Sequence, residues 1–132
     1  MIETAQEFIF LCCSHNDSDV ARSLSEEASL DVWKDLIFNF KSHQIDVAQN
    51  RTIPSEVMRI LAAQGDEVVR SILAEKRRLP PDLFDLLSKD PSSLVRKKVA
   101  ANKKTSIDIV RNLVDDVDEE VARVAEFQLS SR

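Results

Sequence analysis

Hydrophobic residues return at a fixed interval of 26 positions along the C-terminal part of the chain. The blocks that begin at Val57, Leu83 and Ile109 each place apolar side chains four residues apart. Residues with this spacing lie on one face of an α-helix, so each block predicts a short amphipathic helix. Because three blocks share one register, the sequence predicts a repeat protein built from one kind of helical unit.

A second helix is predicted in each unit after a short connection. Asp66, Ser92 and Asp118 recur at the same interval as the first helices, and all three are good N-cap residues. A valine follows each cap by three positions, and apolar residues that include small alanines continue the buried stripe. Each unit is therefore predicted to be a helical hairpin, with its connection at Gly65, Pro91 or Val117.

The first helices are predicted to begin with residues suited to a helix start. Pro54 and Pro80 are placed at the first helical position, where the missing N–H leaves no bond unmade. Thr105 and Asp108 are predicted to form a capping box, with aspartate in place of the usual glutamate.

The N-terminal third follows the pattern less closely. Residues 32–37 match the first helix at an offset of 25, and residues 47–50 match the second at 26. Two further apolar stripes precede them, the second predicted to start from a cap at Asp17 or Ser18. We predict a single all-α domain, residues 1–132, folded as a short α-solenoid. Its parts are an N-terminal capping hairpin (1–27), a divergent repeat (28–50) and regular repeats at 51–76, 77–102 and 103–126.

Two segments, Leu79–Pro91 and Val95–Asn102, resemble the leucine-rich repeat variant, a HEAT-like bacterial α-solenoid. The resemblance extends over roughly residues 28–126. It implies alternating α and 3₁₀ helices, so the second helix of each unit is expected to be partly 3₁₀. Some members of that family also carry a cysteine-ligated iron–sulfur cluster. This chain has only two cysteines, so no such cluster is expected.

The two cysteines, Cys12 and Cys13, are adjacent in sequence. On a helix their side chains diverge by about 100° and cannot easily form a disulfide, which favours a reducing cytoplasm. We predict that they are buried small apolar residues, with no metal ion or cofactor bound. The apolar run from Phe8 to Cys13 is too short for a membrane span and has no basic flank, so neither a span nor a signal peptide is predicted.

The other residues that could take part in catalysis or metal binding do not form a catalytic site. Trp33 lies in an apolar pair and is predicted to be in the core. His15 and His43 have no acid or second histidine at a metal-binding spacing, so surface or capping roles are predicted. Because no nucleophile, acid and base come together, the chain is predicted not to be an enzyme.

Charge divides the chain into acidic ends and a basic middle. Lys and Arg number 3 against 9 Asp and Glu in residues 1–50, 13 against 8 in 51–114, and 2 against 6 in 115–132. Acidic residues at helix starts contribute to solubility and helix stability in any protein. An acidic N-terminal surface could also bind a basic protein. The predicted partner-binding residues are Asp17, Asp19, Glu26, Glu27, Asp31 and Asp35.

The basic middle supports an alternative. Positions 76–78 and 102–104 are equivalent in the repeat and would stack along one edge, as RNA-binding solenoids and helical-repeat DNA glycosylases use basic grooves. Against nucleic-acid binding stand the net charge of −5 and the lack of interleaved aromatic residues. Cations at helix C-termini explain the same charges. The alternative nucleic-acid-binding residues are Lys76, Arg77, Arg78, Lys97, Lys103 and Lys104.

In its small size and its acidic, HEAT-like character, the chain also resembles bacterial immunity proteins. Such proteins accompany secreted antibacterial toxins, as in contact-dependent growth inhibition. That resemblance implies a cytoplasmic protein, monomeric apart from its heterocomplex, that binds and neutralises a toxin domain. A nuclease toxin would be basic because it grips nucleic acid, and an acidic partner would block its substrate groove. A generic protein-interaction scaffold is the remaining alternative.

Overall fold

The computed structural model describes all residues, Met1–Arg132, and confirms the all-α fold. One 3₁₀ turn, Lys41–His43, and one isolated parallel bridge between Ile2 and Ala28 are the other regular features. None of the helices is long and apolar enough to cross a bilayer. The ten α-helices are α1 (Ala5–Cys12), α2 (Asp17–Ser25), α3 (Leu30–Asn39), α4 (Gln44–Gln49), α5 (Ser55–Gln64), α6 (Glu67–Ala74), α7 (Pro81–Ser88), α8 (Ser93–Ala101), α9 (Ile107–Leu113) and α10 (Glu119–Ser130).

The predicted N-caps of the second helices are confirmed. The side chains of Asp66, Ser92 and Asp118 accept hydrogen bonds from the backbone N–H groups three residues on, in α6, α8 and α10. These bonds satisfy donors that a helix start leaves unpaired. The local signal was sufficient because a cap depends only on residues within one turn.

Several finer predictions about helix starts are wrong. Pro54 and Pro80 are N-cap residues, and α5 and α7 begin one position later. Ser106, not Thr105, caps α9, because the Thr105 hydroxyl is buried and donates to the Val99 carbonyl. The cap of α2 is Asn16.

The expected 3₁₀ character of the second helices is also absent. In the regular units α6, α8 and α10 are α-helical, and the 3₁₀ turn falls in the divergent segment, immediately before α4. The two helices of that segment match the regular repeat at offsets of 25 and 26, so one residue is missing between them. The tighter 3₁₀ winding coincides with this shortened stretch.

The helices group into two compact units, unit 1 (Met1–Gly65) and unit 2 (Asp66–Arg132). The core of unit 1 contains Trp33, which confirms its predicted burial, packed edge to face against Phe8 at a ring-centroid distance of 5.5 Å. Ten Asp and Glu against five Lys and Arg make unit 1 acidic, whereas in unit 2 the two classes number 13 each.

In unit 1 a buried asparagine joins the segment after α4 to the end of α2 by hydrogen bonds. The amide nitrogen of Asn50 donates to the carbonyls of Ser23 and Glu26 at 2.9 and 3.0 Å. Its amide oxygen accepts from the backbone N–H of Thr52. Asn50 therefore satisfies the buried Ser23 carbonyl near the end of α2 and shares the Glu26 carbonyl with the Thr52 hydroxyl.

Unit 2 contains the same device at the equivalent position of a later repeat. Asn102 donates to the carbonyls of Ala74 and Lys76, both at 2.9 Å, and accepts from the N–H of Lys104. Asn50 and Asn102 are two repeat lengths apart, so the interval seen in the sequence carries a recurring hydrogen-bond pattern.

Unit 2 also carries two equivalent arginine–aspartate pairs. Arg70 binds both carboxylate oxygens of Asp90 at 2.8 and 3.2 Å, and Arg96 binds Asp116 at 2.9 and 3.2 Å. Each aspartate lies in the connection after a first helix and also accepts from the N–H two residues on. Bidentate pairing of this kind fixes geometry as well as charge. Each arginine therefore joins the second helix of one hairpin to the connection within the next hairpin.

Candidate functional site

The six acidic residues predicted to bind a partner all lie in unit 1, and their surroundings separate them into two groups. Asp17, Glu27 and Asp31 are exposed, and Asp17 and Asp31 occupy the first turns of α2 and α3. Negative charge is favourable at these helix starts because it complements the helix dipole. We call these three residues the acidic surface.

The other three carboxylates are engaged inside unit 1. Asp19 accepts from the Ser14 hydroxyl at 2.8 Å, and Asp35 accepts from the Asn39 amide at 2.7 Å. Both are only partly exposed. Their hydrogen bonds are local to α2 and α3, so a substitution at either position would remove a hydrogen bond as well as a surface charge.

Glu26 is the most constrained of the set. The guanidinium of Arg22 donates to its two carboxylate oxygens at 2.6 and 3.1 Å, and the Met1 amino group lies at 2.9 Å. Hydrogen bonds from Arg22 and from this amino group lower the pKa of Glu26 to about 2. Its main-chain carbonyl also accepts from Asn50. Glu26 is therefore a structural residue of the loop between α2 and α3.

Unit 1 also exposes two aromatic side chains. Phe10 on α1 is 66% exposed and Phe38 on α3 is 46% exposed. Aromatic residues contribute strongly to protein interfaces because they bury a large rigid area at little entropic cost. Both rings lie in unit 1, as do the three residues of the acidic surface.

The alternative nucleic-acid-binding residues lie in unit 2, where three of them line clefts. Arg77 and Lys103, with Lys98, line a cleft of about 330 Å³. Arg77 also lines a second cleft of about 380 Å³ with Lys104, whose wall is formed by Leu79, Pro81, Phe84, Ser106 and Ile109. We call Arg77, Lys103 and Lys104 the basic cluster.

The remaining basic residues are less available. Lys97 pairs with Glu120 at 3.5 Å, and Lys76 is half-buried. Burial, followed by the positive charge of Arg78, lowers the pKa of Lys76 to about 8. Lys98, which sequence reasoning left out, lines the first cleft but forms an ion pair with Glu75 at 3.0 Å.

A third group of side chains was not foreseen as a cluster. Cys12 ends α1, Cys13 caps it, and His43 ends the 3₁₀ turn much further along the chain. The Sγ atoms of Cys12 and Cys13 are 3.9 Å apart, and His43 Nδ1 lies 3.8 Å from Cys12 Sγ. The Asp46 carboxylate, in the first turn of α4, is 3.0 Å from the same nitrogen.

This geometry corrects the predictions for these residues. Cys12 is half-buried and Cys13 is exposed, so the pair is not a buried apolar filler. His43 contacts both an acid and a thiol, whereas no partner was predicted for it; His15 is exposed as predicted. The sequence signal was weak because the pairing depends on how α1 meets the 3₁₀ turn.

The Cys12 thiol is not arranged as a nucleophile. Burial, the nearby Asp46 carboxylate and the contact with Cys13 raise the pKa of Cys12 to about 12. A thiol in this state is protonated at neutral pH and reacts slowly, because the thiolate is the nucleophile. The group therefore differs from a catalytic cysteine, whose surroundings stabilise the thiolate.

Comparisons of the chain with known protein families, with curated proteins and with solved structures found no match.

Proposed function

We propose that this protein is a non-enzymatic binding module whose acidic surface contacts a basic protein. The observation that carries the proposal is the exposure of Asp17, Glu27 and Asp31 in a unit with a twofold excess of acidic residues. An uncompensated field of this kind accelerates encounter with a positively charged partner and orients it. Phe10 and Phe38 would supply the apolar contact that holds the complex.

The most concrete partner is the toxin domain of a secreted antibacterial protein, with nuclease activity as its expected chemistry. The support is the small, acidic, HEAT-like character of the chain and the positive surface that a nuclease needs for its substrate. On this proposal the protein is a cytoplasmic immunity protein of a bacterium, monomeric apart from its heterocomplex, and it neutralises the toxin by covering the substrate groove.

The structure defines which charges to change in a test. Asp17→Asn, Glu27→Gln and Asp31→Asn together remove the acidic surface and leave the bonds of Asp19, Glu26 and Asp35 intact. The matched control is Asp108→Asn, Glu119→Gln and Glu126→Gln in unit 2, which removes the same charge and also includes two first-turn acids. The partner is the purified toxin domain encoded beside this gene, with affinity measured by calorimetry and protection by nuclease assay.

We expect the unit 1 triple variant to bind at least about tenfold more weakly at low salt, and the control to bind like wild type. The loss should shrink as salt is added, because exposed charges are screened. Equal affinity for wild type and both variants would refute the acidic surface as the contact. Binding that is strong but leaves nuclease activity intact would refute neutralisation.

A second candidate function is nucleic-acid binding through the basic cluster. The specific observation is that Arg77 lines both clefts, with Lys103 in one and Lys104 in the other. Fluorescence anisotropy with single-stranded and duplex oligonucleotides at several salt concentrations tests it. Arg77→Ala, Lys103→Ala and Lys104→Ala should together remove binding and its salt slope, whereas Lys89→Ala, Arg111→Ala and Arg123→Ala should not. No binding by wild type at low salt would eliminate this function.

A further inference from the structure

Three side chains with metal-binding atoms converge at one point of unit 1, and a fourth lies beside one of them. They are Cys12 and Cys13 at the end of α1, His43 in the 3₁₀ turn and Asp46 in α4. One ligand atom from each of Cys12, Cys13 and His43 falls within a group in which all atoms lie within 4.8 Å of one another. Two sulfurs, an imidazole nitrogen and a carboxylate oxygen form a donor set of the kind that zinc prefers.

The separations match the edges of a coordination tetrahedron. With Zn–S bonds of about 2.3 Å and Zn–N bonds of about 2.0 Å, two sulfurs on one ion lie about 3.8 Å apart, and sulfur and nitrogen about 3.5 Å apart. The observed distances are 3.9 Å between the two Sγ atoms and 3.8 Å between Cys12 Sγ and His43 Nδ1. These two edges need shifts of no more than a few tenths of an ångström, whereas the third edge, from Cys13 Sγ to the His43 nitrogen, lies within 4.8 Å and would close to about 3.5 Å around the ion.

Asp46 lies beside this group, against His43. Its Oδ2 atom is 3.0 Å from His43 Nδ1, which is shorter than the nitrogen–oxygen edge of about 3.3 Å around zinc. Its carboxylate is outside the group of atoms that lie within 4.8 Å of one another, so it would move toward the ion to become the fourth ligand. Because His43 and Asp46 are three residues apart at the start of α4, a rotation of either side chain opens the gap without moving the backbone.

We propose that Cys12, Cys13, His43 and Asp46 bind one Zn²⁺ ion, with both thiolates and His43 Nδ1 as ligands and Asp46 as the fourth. Each zinc ion displaces two thiol protons to solvent, and a neutral imidazole with its proton on Nε2 presents the lone pair of Nδ1 to the ion. With two cysteines and one histidine, the set matches neither the four cysteines of most iron–sulfur clusters nor the two cysteines and two histidines of a Rieske centre. The site does not depend on the partner proposed for the acidic surface.

The structural effect of the ion would be a cross-link. Cys12 and His43 are far apart in sequence, and the ion would join the end of α1 to the segment that opens α4. Metal binding that favours the folded state stabilises it by mass action, so zinc should raise the melting temperature of the protein.

The test uses the full chain, reduced and stripped of metal by a chelator. Zinc affinity is measured by competition with a chromophoric chelator, proton release by pH-indicator dye, and coordination by the absorption spectrum of the Co²⁺ form. We expect one ion per chain, two protons released per zinc near neutral pH, and cobalt bands typical of tetrahedral coordination with thiolate charge transfer. Both thiols should become protected from alkylation.

Variants identify the ligands. Cys13→Ser and His43→Gln should each weaken zinc binding at least about 100-fold, and Asp46→Asn about tenfold. His15→Gln is the matched control, since His15 is the other histidine and is exposed. Circular dichroism of the apo variants separates loss of a ligand from loss of fold, and Cys13 is useful here because its exposed side chain can be changed without disturbing the core.

Three results would overturn the site. The first is unchanged affinity in His43→Gln. The second is a stoichiometry of one ion per two chains, which would show bridging through exposed Cys13. The third is octahedral cobalt spectra without thiolate bands. Failure of this test leaves the acidic surface untouched, and unchanged toxin binding in Cys13→Ser would show that the two sites are separate.

Discussion

Arg96 and Asp116 form a bidentate pair, with Nε and Nη2 of the arginine 2.9 and 3.2 Å from the two carboxylate oxygens. The third arginine nitrogen, Nη1, donates to the main-chain carbonyl of Asp90 at 2.7 Å. Both side chains are nearly buried, at 13% and 8% exposure. One guanidinium therefore binds the connection between α7 and α8 and the connection between α9 and α10.

Replacing one member of this pair should destabilise the protein. Arg96→Ala leaves the Asp116 carboxylate poorly solvated and without its cation, so we expect a loss of about 2–4 kcal/mol in the free energy of unfolding. Urea denaturation followed by circular dichroism measures it, and a double-mutant cycle with Asp116→Ala should give a coupling of at least about 1 kcal/mol. The exposed pair Lys89 and Asp85 is the control, for which Lys89→Ala should change stability by less than about 0.5 kcal/mol.

The same pair predicts a pH dependence. Burial acts to raise the pKa of Asp116, but the hydrogen bonds from Arg96 and from the N–H of Asp118 outweigh it, so the pKa is lower than 3.8. A carboxyl with a lowered pKa contributes stability above its unfolded value, and this contribution is lost as the pH falls through the folded value. The stability gap between wild type and Asp116→Asn should therefore be constant from neutral pH to about 5 and shrink below about 4. A gap that does not change down to pH 2 would contradict the assignment.

Replacing Asn102 should lower the stability of the protein much more than replacing an exposed asparagine. Asn102→Ala removes the donor to the Ala74 and Lys76 carbonyls and the acceptor for the Lys104 N–H. Leaving buried main-chain groups unpaired should cost about 2–4 kcal/mol, as measured by urea denaturation. Asn112→Ala, at an exposed position of α9, should change stability by less than about 0.5 kcal/mol. Similar effects at the two sites would show that the Asn102 bonds contribute little.

Replacing the buried phenylalanine of α1 should cost much more stability than replacing the exposed one. Phe8 is fully buried against Trp33, so Phe8→Ala should destabilise unit 1 by about 3–5 kcal/mol. Phe10→Ala removes a largely exposed ring and should leave the unfolding midpoint near that of wild type. Because Trp33 is the sole tryptophan, its fluorescence follows unit 1 during urea denaturation. If Phe10 belongs to the proposed contact, Phe10→Ala should instead weaken partner binding.

What could be predicted from the sequence was the part that depends on neighbouring residues. Asp66, Ser92 and Asp118 were identified as N-caps because a cap and its acceptor lie within one turn, and Trp33 was placed in the core by its helical periodicity. Thr105 was misassigned because the competing acceptor, the Val99 carbonyl, is supplied by another part of the unit.

The contacts that join distant segments could not be predicted in the same way. Arg70 and Asp90 have the same separation in sequence as Arg96 and Asp116. Without the path of the connection, however, nothing showed that the two charges meet. The Cys12 and His43 contact had still less signal, because it occurs once and in the segment where the repeat is broken.

The interval between each arginine and its aspartate also limits how the length of unit 2 can change. Removing residues 77–102 as a block would bring Arg70 to the correct spacing from Asp116, so the hydrogen-bond pattern would close again around the deletion. Removing one residue between Arg70 and Asp90 would change the interval of that pair, which is 20 residues, and would leave the interval between Arg96 and Asp116 as it is. The side-chain amide of Gln44, which stands one repeat length before Arg70, donates to the Ile37 carbonyl instead of to an aspartate. A change in length between an arginine and its aspartate therefore preserves the pairing pattern when it amounts to a whole repeat.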